Sequence, residues 1–169
     1  KGFRMLSDAL ALLRKIADSL LGSTAPGQLA AGFTIGMIIG VLPKSNLIAL
    51  SLCVLLFSAR CNVGLGLAAA VAFSFVSPWT DPFAHKLGLS VLGIGSMQGT
   101  YAAAFNLPLG PWWGFNNTVV AGSLLLGLYV AFPVYFFTRA FFAGVQSVFI
   151  RRPGARLGLD AELQSGAAL

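Results

Sequence analysis

A chain of 169 residues that is 57% hydrophobic and only 9% charged argues against a soluble monomer, since soluble domains carry about 25% charged residues. Eleven Lys and Arg stand against five Asp and Glu, a net charge of +6. With this apolar content, that excess points to anionic lipid headgroups and excludes nucleic acid as the expected partner. Cys53 and Cys61 have no metal-ligand spacing and His85 is the single histidine, so no metal or other cofactor is expected.

Residues 1–22 read as an amphipathic helix. Leu6, Leu10, Leu13, Ala17 and Leu20 recur at spacings of four and three, which is one helical face. Its basic character suits a helix resting in the headgroup plane; packing on a partner subunit is the alternative. The short apolar run Ala9–Leu13 is followed directly by Arg14 and Lys15, so a cleaved signal peptide is not expected there.

Residues 23–150 form the predicted membrane domain. Two apolar runs, Leu29–Leu42 and Leu47–Ala59, flank Pro43-Lys44-Ser45-Asn46. Each run is about 20 Å long as a helix, short of the roughly 20 residues a lipid span needs. They predict a helical hairpin that dips into a bilayer from one side, with its polar turn buried in protein or facing a wet cavity. Gly32, Gly36 and Gly40 lie on one helix face and allow another backbone close, either the second arm or the next helix; a lipid or substrate groove along that face is the alternative. At the turn, Lys44, Ser45 and Asn46 are candidates for lipid, anion or partner contact, or for a plain turn in which Asn46 caps the second arm.

Arg60-Cys61-Asn62 is the second polar break. Arg60 is a further candidate for lipid, anion or partner contact, and Asn62 is a predicted cap. Val63–Val76 reads as a third short apolar helix. In the following stretch Asp81-Pro82 reads as a cap and first helical residue, with Trp79 as an interface anchor. His85 lies four residues beyond Asp81, giving a polar pair. That pair admits a structural hydrogen bond, a binding or proton-sensing role, or acid–base chemistry with Ser77 or Thr80.

The series G-x-x-A-x-G-F-x-x-G-M-x-x-G-x-x-P-K-x-N-L from Gly27 to Leu47 resembles a bacterial inner-membrane family known as domain of unknown function 2062. Arg60-x-Asn62 and Ser77-Pro78-x-x-Asp81-Pro82-x-x-His85-x-Leu87-Gly88 carry the same resemblance, over about residues 20–95. Ser45 stands where the family's turn is expected to have glycine. The resemblance implies a small multi-helix membrane protein with no established reaction. It also implies a setting near envelope and glycolipid proteins, including large periplasmic lipid-bridge-like partners.

Beyond it, Leu89–Phe105 is apolar with a break at Gly95–Gly99, which suggests a second short hairpin. Leu107–Gly114 holds too many Pro and Gly for a regular helix, and Trp112 and Trp113 suit a membrane–water interface. Asn117 can cap Thr118–Thr138, 21 uncharged residues that are long enough to span, with a kink expected at Pro133. Phe141–Ile150 extends that helix. Arg139, Arg151, Arg152 and Arg156 place its end in the cytoplasm, followed by a basic and polar tail over 151–169. Lys1, Arg4, Arg14 and Lys15 put the other terminus on the same side.

The sequence therefore predicts an all-α integral membrane protein of the bacterial inner membrane, with short re-entrant or broken hairpins and at least one full transmembrane helix. The expected function is non-enzymatic: a subunit that anchors or supplies a lipid-handling partner, a larger membrane or periplasmic protein. A small transporter or channel with a path past Lys44, Asp81 and His85 is the alternative, and an enzyme acting on a lipid-linked substrate is the third reading.

Overall fold

The computed structural model describes residues 24–150; the helix expected at 1–22 and the tail at 151–169 lie outside them. Every regular element in the described residues is helical. These are α1 (Pro26–Val41), α2 (Leu47–Ser58), α3 (Val63–Leu92), a 3₁₀ turn (Gly95–Met97), α4 (Gln98–Phe105), α5 (Gly110–Trp113) and α6 (Thr118–Ile150).

The hairpin follows from its punctuation. Pro26 occupies the first turn of α1, where a missing N–H costs nothing. Leu42 precedes Pro43 and is extended, at φ −73° and ψ 144°, as the proline ring demands. The chain turns through 43–46 and α2 returns. At the base the Asn62 N–H donates to the Gln28 carbonyl at 3.1 Å, so the two ends of the hairpin meet. The Asn62 side chain caps α3 by accepting from the Leu65 N–H at 2.8 Å.

α3 departs from the sequence reading. It is one helix of 30 residues with Pro78 and Pro82 inside it, about 45 Å long, rather than a short helix followed by a new start at Asp81. Each proline removes a backbone donor. Nearby hydroxyls lie along the backbone: Ser74 Oγ donates to the Ala70 carbonyl at 2.6 Å, and Thr80 Oγ1 to the Ser77 carbonyl at 3.0 Å. Asp81 and Trp79 consequently sit within a helix, not at its end.

α1 is the buried centre. It runs parallel to α3 and antiparallel to α6. The glycine stripe faces α3, the next helix, and not the second arm: a Cβ on Gly36 would overlap the Gly66 backbone, and one on Gly32 the Asn62 backbone. A Cβ on Gly40 would press on Phe73 Cβ at 2.5 Å. Farther along, Gly88 abuts the Thr118 backbone and Gly122 abuts that of Ala84, so α3 and α6 also touch main chain to main chain. Met37, Ile38, Leu42, Ile48 and Val120 form the core where the hairpin tip meets α6.

The outward faces are apolar. Phe75, Trp79, Phe83, Phe132 and Phe137 are each at least 70% exposed. α3 and α6 are long and apolar enough to cross a membrane, with mean hydropathies of 1.5 and 2.0 over their most apolar windows, of which less than a third is buried. A soluble core helix would show the reverse.

Candidate functional site at the hairpin tip and the α4 cavity

The tip of the hairpin collects the polar side chains that the sequence singles out. Lys44 Nζ donates to the carbonyls of Ile39 (3.1 Å), Gly40 (2.6 Å) and Leu42 (2.8 Å). An ammonium has three donors, so all three are directed at the C-terminal carbonyls of α1, which no helical N–H can reach. Asn46 Oδ1 accepts from the Ala49 N–H at 2.8 Å while its Nδ2 donates to the Pro43 carbonyl at 2.6 Å. Lys44 therefore closes α1 and Asn46 opens α2. Asn46 thus caps the second arm, and Lys44 and Ser45 are exposed beside it.

Arg60 is exposed at the opposite end of α2, about 18 Å of helix away. Lys44 and Arg60 thus do not share a site. Arg60 stands at the hairpin base, the end that Arg139 of α6 also approaches, because Gly27 faces the Tyr135 hydroxyl there.

Asp81 and His85 do not form the expected pair. Ser77 Oγ lies 3.0 Å from the Val41 carbonyl and 3.2 Å from Asp81 Oδ1, so its hydroxyl proton is shared between α1 and the carboxylate. His85 Nδ1 instead meets Thr118 Oγ1 on α6 at 2.6 Å. The reason lies along the helix axis: Ala84 and Gly88 abut α6 and bring Thr118 to His85, whereas Asp81 sits a turn nearer the point where Ser77 meets the end of α1. Spacing of four within α3 was a weaker guide than the α6 backbone touching Ala84 and Gly88.

The tryptophans also divide. Trp112 is 70% exposed, whereas Trp113 packs on the core around Leu42 and Ile48 and is not a free interface anchor. Trp79 faces outward from the body of α3. Leu109 and Gly114 bracket α5 with positive φ, 63° and 74°, which is how the Pro- and Gly-rich segment reverses direction within one helical turn.

Sequence reasoning missed a cavity of about 510 Å³ between the end of α3, α4 and the start of α6. Its walls include Val91, Tyr101, Phe105, Phe115, Leu124 and Leu125. Tyr101 and Gln98 direct their polar ends to the Val91 and Leu92 carbonyls, at 2.9 and 2.7 Å, which leaves the wall almost wholly apolar. The only sequence signal was the small-residue run of α4, QGTYAAAF, which gives that helix little bulk with which to close the space. Two buried hydroxyls, Thr34 Oγ1 and Ser123 Oγ, have no hydrogen-bond partner among the described residues and were not anticipated either. Cys61 Sγ approaches the Leu56 carbonyl at 3.4 Å as an ordinary thiol.

An all-helical fold with two apolar helices of membrane-crossing length and a short hairpin packed between them defines a compact helical class with the composition of membrane proteins. The chain belongs to the family described as "Uncharacterized protein conserved in bacteria (DUF2062)", whose model matches residues 11–148, well beyond the 20–95 stretch that carried the resemblance. It is 34% identical over 121 residues to an uncharacterized protein of Treponema pallidum (strain Nichols), covering 72% of this chain and 75% of that protein. No solved structure matches it.

Proposed function

We propose that this protein is a non-enzymatic inner-membrane subunit that holds a lipid acyl chain in the α4 cavity and anchors or supplies a larger lipid-handling envelope partner. The observation that carries this reading is the cavity: about 510 Å³ with apolar walls, within the size range of small-molecule sites and uniform enough to suit a chain of methylenes. In this reading α3 and α6 cross the membrane. Arg60 and Arg139 lie near one pole and Arg151, Arg152 and Arg156 follow in sequence, so that pole is cytoplasmic by the positive-inside rule. The cavity then opens toward the other leaflet.

The transporter reading requires a polar path past Lys44, Asp81 and His85. Their bonds to three separate protein groups, the α1 carbonyls, Ser77 and Thr118, weigh against it.

The test is lipid mass spectrometry on protein purified gently from its own membrane. Ala104→Phe fills the cavity, and Ala103→Phe, which does not line it, is the control. Co-purified lipid is expected to fall by about tenfold in the first variant, equivalent to roughly 1.4 kcal/mol of binding, and not in the second. Equal lipid content in both variants refutes the reading.

A further inference from the structure

We propose that a second copy of this chain packs against the middle of α6, on a two-fold axis passing close to Tyr129. The inference rests on reading α6 as a membrane span. Tyr129 is the twelfth of the 21 uncharged residues Thr118–Thr138, so it lies at mid-depth. Its side chain is 82% exposed, and its hydroxyl has no partner among the described residues.

The same residue has a second unmet group. Pro133 lies inside α6 and has no amide hydrogen, so the Tyr129 carbonyl lacks its i+4 donor. One residue therefore carries an unpartnered hydroxyl and a carbonyl without its regular helical donor at a depth where no water is at hand. Donor and acceptor on one residue make the surface complementary to itself, which is what a two-fold interface requires. A second copy brings each hydroxyl to the other copy's carbonyl at the same depth. Phe132 and Phe136, with ring centroids 4.7 Å apart, supply apolar contact beside it.

The experiment uses the full chain in native membranes with Cys53 and Cys61 replaced by Ala. Under mild oxidation Phe132→Cys is expected to form an intermolecular disulfide, and Phe75→Cys, on the outward face of α3, is not. Energy transfer between labelled copies in bilayers then measures the dimer. Tyr129→Phe removes only the donor. Pro133→Ala returns the amide that satisfies the carbonyl within α6, and leaves a better helix. Each is expected to weaken dimerisation by about tenfold, the size of two interhelical hydrogen bonds between membrane helices. A monomer at all protein-to-lipid ratios, or a dimer indifferent to both substitutions, overturns the proposal. Extraction of the protein by alkaline carbonate would overturn the membrane reading as well, whereas a carbonate-resistant monomer overturns the dimer alone.

Discussion

The seam between α1 and α3 and the shelf formed by α4 are built on opposite terms. Along the seam, Gly32, Gly36 and Gly40 bring one backbone onto another, and a single added carbon at Gly36 has nowhere to go. At the start of α4 two glycines sit in open space: a Cβ on Gly95 or Gly99 meets nothing within 4 Å, and a cavity of about 510 Å³ lies underneath. Both regions are rich in small residues. In the first, smallness serves contact between helices; in the second it leaves room. A glycine count alone does not distinguish a seam from a vacancy; what the neighbouring element does with the space distinguishes them.

Three substitutions bear on that contrast. Gly36→Leu is expected to have the largest effect. It forces α1 from α3 where neither backbone can yield, a destabilisation upward of about 3 kcal/mol, read as loss of a cooperative unfolding transition in detergent. A variant with unchanged unfolding would mean the seam is looser than its geometry. Next comes Lys44→Met, which keeps the stem and removes the ammonium from three carbonyls. About 2–3 kcal/mol is expected, measured by denaturant titration of the purified protein. Full stability there would show that the tip is satisfied by solvent. The smallest effect belongs to the shelf. Gly99→Ala should stabilise α4 by up to about 0.5–1 kcal/mol, seen as slower amide exchange within 98–105 and no shift in global unfolding, because a loosely attached element opens on its own. A global shift would tie the shelf to the seam.

Much of the hairpin was legible in the sequence because its boundaries are chemical. Pro43 stops α1, Asn46 and Asn62 carry the side chains that caps need, and the spacing of Gly32, Gly36 and Gly40 is a helical face whatever it meets. The uncharged length of Thr118–Thr138 likewise announced α6. What could not be read was governed by contacts distant in sequence. Pro78 and Pro82 look like punctuation, yet packing against α1 and α6 holds α3 continuous across both. Asp81 and His85 are the right distance apart to pair, yet Ser77 and Thr118 are better placed. Trp113 resembles Trp112 in sequence and differs from it only because the hairpin tip rises to meet it. The α4 cavity, an unfilled volume between three elements, leaves almost no trace in any one of them.

The bond from the Asn62 N–H to the Gln28 carbonyl bears on how the protein is made. On the membrane reading, α1 and α2 are synthesised first but are too short to hold themselves across a bilayer. The wall against which α1 rests, from Asn62 through Phe73 and on to α6, is translated later. On that reading order of synthesis and order of assembly are expected to run in opposite directions, the hairpin waiting near the surface to enter a groove that its own downstream sequence builds. Nascent chains halted before α6, with Cys53 and Cys61 replaced by Ala, should leave the thiol of Leu42→Cys open to a water-soluble maleimide, and completed chains should bury it beside Val120; protection in the halted chains would show that the hairpin seats itself unaided.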